Sequence, residues 1–175
     1  MKRLIRILLA SLLVTAICTA AGFLLKLFGI PEIAQLNRHA NLEYPIGADL
    51  QFIKVGEDYT WLKDYFEFSM ERSFMNATGE TIYYVSMFPD LSYGKKTITR
   101  FYTTEPKYRV FGVSVGSQGS QAAAALERYH YTTEQYKTCI IGTKGKVYIT
   151  YGLEGGIVTH ILIRLAIGNI RQLVF

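Results

Sequence analysis

Between Ile7 and Leu25 the chain runs nineteen residues without a charge, ILLASLLVTAICTAAGFLL, directly behind Lys2, Arg3 and Arg6. As a helix this run is about 28 Å long, close to the hydrocarbon thickness of a bilayer. No other stretch constrains the chain as much. The preceding cations predict an N-terminus held in the cytoplasm and everything beyond Leu25 on the far side. Two readings stand. One is a cleaved signal peptide, with Cys18 and Ala20 as the small residues of the cleavage site. The other is an uncleaved signal anchor, favoured because a signal-peptide core is only about 7–15 residues long. The apolar run also continues past that site through Leu27, Phe28 and Ile30. Bulky Ile17 beside Cys18 gives no lipoprotein box.

The charge of the chain follows the same division. Five bases and one acid, Glu32, fall in the first forty residues, and the rest holds fourteen bases and thirteen acids. The formal +5 therefore belongs mainly to the leader, and the near-neutral body offers no broad cationic field for nucleic acid. A chain that is half hydrophobic and 14% aromatic is not disordered. Its two cysteines, Cys18 in the leader and Cys139 alone in the body, exclude a disulfide-stapled scaffold and a closed Cys-rich zinc site.

Residues 1–30 thus form a cytoplasmic tip and anchor. Residues 31–46, bounded by Pro31 and Pro45 and without a clear period, read as a juxtamembrane linker. The folded part is expected to start near Gly47, leaving about 129 residues, enough for a real core. A strand-rich part spans 47–107. Trp61 to Phe74 fits both a strand and a helix, and its aromatic density favours a strand. Thr81–Phe88 and Lys96–Tyr102 read as strands bounded by turn residues, and Tyr108–Val115 as another. Over 108–175 the pattern changes. Gly116-Ser-Gln-Gly-Ser introduces a short helix, Gln121–Arg128, with Ser117 or Ser120 as its N-cap. Three strands follow: Tyr131–Ile141, Lys146–Tyr151 and Gly156–Leu165. Their turns are Gly142–Gly145 and Gly152–Gly156. Residues 166–175 end in a candidate edge strand. The predicted class is α+β: an N-terminal transmembrane helix, then a mostly antiparallel β-sheet with one or two short helices on one face.

The parts Phe111-Gly-Val-Ser-Val-Gly116, QAAAALERY, Lys144–Tyr151 and Gly155–Ile163 together resemble the helix-plus-β-meander unit of the β-lactamase-inhibitor-like and BamE-like superfamily. With the preceding Thr81–Asp90, the resemblance is closer still to membrane-anchored, uncharacterised extracytoplasmic proteins of clostridia-type bacteria. It covers about half the chain, and its motifs are structural. It implies a protein-binding or scaffolding role in the cell envelope and no shared active site, and fold-level likeness is a weak warrant for function.

Gly112-Val-Ser-Val-Gly116 matches G-x-S-x-G between a strand and a helix, with His130 and His160 downstream. A nucleophile elbow needs its helix to start directly after the serine. Here the expected helix starts several residues later, so catalysis by Ser114 is set aside and the glycines are read as close-packing positions in a strand. His39, His130 and His160 lack metal-ligand spacing. Asp64, Glu67 and Glu71 read as a solvated acidic face. Asn76-Ala-Thr is a glycosylation sequon, relevant only in a eukaryotic secretory pathway. Cys139, inside a strand, reads as a small buried hydrophobe.

All thirteen tyrosines lie beyond residue 40. In a strand, one of two adjacent tyrosines must face away from the core. Exposed tyrosines suit a protein interface, the ring giving area and the hydroxyl a hydrogen bond. Tyr83, Tyr84, Tyr93, Tyr129 and Tyr131 are the candidate surface. The expected role is a non-enzymatic, membrane-anchored extracytoplasmic interaction module with an envelope protein as partner, and without cofactor, metal or nucleic acid. The alternatives are an inhibitor-like protein that inserts Pro89–Lys95 or Gly152–Gly156 into an extracellular hydrolase, and a serine hydrolase using Ser114.

Overall fold

A computed structural model describes residues 31–62, 71–87 and 96–166. The run 7–25, Tyr93, Asp64, Glu67, the Pro89–Lys95 segment and the tail 167–175 lie outside them. Among the described residues no helix is long and apolar enough to cross a membrane.

The described residues build an α+β fold. In chain order the elements are α1 (Pro31–Arg38), a 3-10 turn (Leu50–Phe52), β1 (Tyr59–Leu62), β2 (Glu71–Asn76), β3 (Thr81–Met87), β4 (Lys96–Thr103), α2 (Gly119–Arg128), β5 (Thr132–Gln135), β6 (Cys139–Lys144), β7 (Val147–Glu154) and β8 (Ile157–Leu165). The strands form one antiparallel sheet in the order β1-β2-β3-β4-β8-β7-β6-β5. It consists of two four-stranded meanders whose last strands, β4 and β8, pair at the centre.

One face of the sheet carries the core, and its character changes along a single cross-strand row. Trp61, Phe74, Tyr83 and Phe101 oppose one another in the first meander. Ile163, Ile149 and Gly142 continue the row through the second. The aromatic half is filled out by Tyr44, Tyr59 and Tyr108, packed edge-on within 6 Å of their neighbours. Buried phenols need partners. Tyr44 Oη accepts from Gly56 N (2.8 Å), Tyr59 Oη donates to Glu43 Oε2 (2.9 Å), and Tyr83 Oη accepts from Tyr44 N (3.3 Å). In the second half Gly142 lies under α2. A Cβ there would stand 2.4 Å from Leu126 Cδ2, so only glycine lets the helix sit this close.

Several expectations change. Residues 31–46 are not a tether. Leu36, Tyr44 and Ile46 are buried, and the Asn37 side chain clamps Ile46 by donating to its carbonyl (2.8 Å) and accepting from its N–H (3.0 Å). The absence of a long period reflects an eight-residue helix followed by chain packed on the aromatic cluster. The strand expected at Tyr131–Ile141 is two strands turned at 136–138, where Tyr136 N donates to Cys139 O (2.8 Å). No glycine or proline marks that turn. The next turn is Gly145-Lys146 alone, Gly142 lying inside β6.

Tyr108–Val115 is not a strand either. Val110 and Val113 exchange both backbone hydrogen bonds around Phe111 (φ 54°) and Gly112 (φ 82°), a two-residue reversal. The ring of Phe111 is buried and stacked on Tyr129 at 4.2 Å, which holds a non-glycine residue in left-handed backbone. Neither Ser117 nor Ser120 caps α2. The N-cap is Gln118, whose N–H donates to the Gln121 side chain (3.3 Å), while Ser117 Oγ accepts from Ser114 N (3.1 Å).

Candidate functional site

On the core face lie α2 over Gly142, the 104–118 segment through Tyr151 Oη donating to Val110 O (2.9 Å), and Tyr44 against Tyr83, while Gly47 and Ala48 pair with the Ile98 backbone beside β4. The opposite face carries half-buried side chains on β2, β3, β4, β6, β7 and β8. Strand alternation decides what that face carries. Tyr84, between buried Tyr83 and Val85, points to it and opposes Arg100 on β4. Arg100 opposes Arg164 on β8, and Arg164 opposes Tyr148 on β7. The result is a four-strand row, Tyr84–Arg100–Arg164–Tyr148, symmetric about the β4–β8 seam. The Arg100 guanidinium lies 4.8 Å from the Tyr84 ring centre, and that of Arg164 lies 5.6 Å from the Tyr148 ring centre. Like charges directly opposite each other on a sheet are unfavourable, and each cation–π contact returns about 0.5–1 kcal/mol. The neighbouring row is Met75, Ile82, Tyr102, Leu162, Thr150 and Ile141, all half-buried. An apolar and aromatic strip thus runs beside two cations at the middle of the sheet.

The candidate tyrosines divide. Tyr84 is half-buried on the face opposite the core, as adjacent-residue alternation requires. Tyr83 is its core-facing neighbour, 0% exposed and stacked on Phe74 at 5.2 Å, so it presents no surface. Tyr131, just past the end of α2 and packed on Phe111, is 4% exposed and is likewise excluded as a surface residue. Tyr129 is half-buried between Phe111 and His39, with only part of its ring free. Alternation says that one tyrosine of each pair faces inward, and only the packing says which. The reading of the sequence missed Tyr148, Arg100 and Arg164. Arg164 shares its strand with the polar Thr159 and His160, and its cross-strand neighbour depends on register.

Ser114 Oγ has Ser117 Oγ as its neighbour at 3.5 Å, and no histidine or carboxylate bonds it among the described residues. His160 Nδ1 is paired with Thr159 Oγ1 (3.2 Å), and His130 is the left-handed residue that ends α2 (φ 62°). Gly112 and Gly116 have φ of 82° and 91°, and a Cβ on either would meet nothing within 4 Å. These glycines therefore serve turns, not the close packing expected of them. The Asn76 side chain is engaged, donating to Glu105 Oε1 (2.6 Å) and accepting from Glu80 N and Thr81 N. No group of His, Cys, Asp and Glu among the described residues could hold a metal ion.

No protein-family profile, curated protein or solved structure matches this chain.

Proposed function

We propose that this chain is a membrane-anchored, non-enzymatic interaction module of a bacterial envelope. In this reading residues 7–25 hold it at the membrane, and the sheet face opposite the core receives a protein partner outside the cytoplasm. The observation that carries the reading is the Tyr84–Arg100–Arg164–Tyr148 row at the centre of the sheet face opposite the core. Tyrosine and arginine are the side chains that most often anchor interfaces, and a rigid sheet presents them without an ordering cost. Two cations beside a strip of Ile82, Tyr102 and Leu162 favour a partner with carboxylates at the centre of an apolar patch, Arg164 offering its planar fork to one of them. The resemblance of 108–165 to envelope interaction units agrees with this.

The test is affinity capture of the tagged full chain from native membranes, comparing the wild type with Tyr148→Ala/Arg164→Glu and with Lys137→Ala in the β5–β6 turn. A stoichiometric envelope protein retained by the wild type and Lys137→Ala, and lost by the double variant while its circular dichroism is unchanged, is the expected result. Equal capture by all three removes the sheet face from the reading. A captured hydrolase that loses activity in the complex would specify inhibition as the purpose of the contact.

A further inference from the structure

The C-terminal end of α1 and the 105–112 segment border an open surface depression of about 640 Å³. Arg38, His39, Asn41, Lys107 and Arg109 line it together with small Ala40, Pro106 and Gly112, and no carboxylate is among the lining residues. We infer that this depression binds a multivalent phosphate ligand, such as an oligophosphate or a phosphodiester chain.

The floor is built before any ligand arrives. Ala40 and Val110 form an antiparallel bridge, with Asn41 N donating to Arg109 O (3.0 Å) and Phe111 N to His39 O (2.9 Å). The Asn41 side chain locks the opposing strand, donating to Lys107 O (2.8 Å) and accepting from Arg109 N. That register places Arg109 and Lys107 two residues apart on one rail, and His39 and Asn41 on the other. Arg38 closes the end. Lys107 is paired with Glu105 at 2.7 Å, which holds its ammonium above the ordinary lysine value and so keeps it charged. Arg38 and Arg109 have no ion-pair partner among the described residues, although the body as a whole is close to neutral.

Guanidinium forks match phosphate oxygens in pairs and are only weakly hydrated, so two arginines without an ion-pair partner suit a phosphate ligand. The volume is that of a small-molecule site, larger than one inorganic phosphate fills. Arg38, Lys107 and Arg109 bring three cationic side chains to one depression, which suits a ligand of more than one phosphoryl group.

The experiment is isothermal titration of the full chain, solubilised in a neutral detergent, with sodium tripolyphosphate. Saturable binding of one equivalent is expected, weakened by added salt, weakened about tenfold or more in Arg38→Ala/Arg109→Ala, and unchanged in Lys137→Ala. Both arginines are exposed, so the double variant should keep its circular dichroism and melting temperature. Dihexanoyl-phosphatidylglycerol as competitor separates sources. Displacement points to lipid headgroups and no displacement to a soluble or wall-borne phosphate, and either agrees with the site. Absence of saturable binding at millimolar tripolyphosphate, equal affinity in the double variant, or tighter binding of oligoglutamate than of tripolyphosphate would overturn the inference.

Discussion

The Tyr131 hydroxyl is buried and has no hydrogen-bond partner among the described residues. Its ring earns its place by packing against Phe111 at 5.3 Å and lying 5.6 Å from Lys144 Nζ. Burial pushes the phenol well above its ordinary pKa, so it stays neutral at any working pH. A buried, unpaired hydroxyl costs about 1–3 kcal/mol. Tyr131→Phe removes the oxygen and leaves the ring, and should stabilise the fold by about 1 kcal/mol in urea titration. A loss of stability would show that the hydroxyl has a partner. The contrast with Tyr83, whose hydroxyl accepts from Tyr44 N, separates two tyrosines that look alike in the sequence.

At the scale of elements, the seat of α2 on β6 rests on Gly142. Gly142→Ala should destabilise by about 1–3 kcal/mol through overpacking against Leu126. In a Leu126→Ala background the same change should cost much less, because the clash is gone. A double-mutant cycle measures the difference, and additivity of the two changes would refute the contact. Glu105 joins three pieces: it accepts from Asn76 at the end of β2 and from Thr81 on β3, and pairs with Lys107 in the following segment. Burial alone would raise its pKa, but the hydrogen bonds from Lys107, Thr81 and Asn76, with the Lys107 charge, outweigh this and hold the carboxyl below its ordinary 4.5. A depressed folded value means that its contribution is complete above the ordinary carboxylate range and is lost as pH falls through the lower folded value. The urea midpoint of the wild type should therefore fall more between about pH 6 and about pH 3 than that of Glu105→Gln. Equal falls would remove Glu105 from the acid sensitivity of the fold.

For the whole molecule, the two meanders share one sheet and one core. Phe101 on β4 opposes Ile163 on β8, and Leu36, Tyr44 and Ile46 are buried among residues of both halves. Such a core should unfold as a unit. Trp61, the sole tryptophan, reports on the first meander, and Cys139 on the second. In a Cys18→Ser background, the urea midpoints from Trp61 emission and from Cys139 labelling should coincide. Ile163→Ala should shift both together, by about 2–5 kcal/mol in stability. Separate midpoints would mean that the β4–β8 seam joins two independent domains.

The sequence alone determined the α+β class, β3, β4 and α2 to within a few residues, and that Tyr83 and Tyr84 face opposite sides, though not which of them faces the core. These follow from local periodicity, helix propensity and turn residues, which each segment carries within itself. It also sets the expectation of an anchor over 7–25. Tertiary structure decided the rest. Residues 31–46 belong to the core because of what Leu36, Tyr44 and Ile46 touch, not because of any period of their own. Gly142 sits inside a strand because a distant leucine occupies the space of its side chain. The Tyr–Arg–Arg–Tyr row and the cationic depression exist only through pairings of residues such as Arg100 with Arg164 and Asn41 with Arg109, far apart in the chain. Register is a property of two strands at once, and neither strand encodes it by itself.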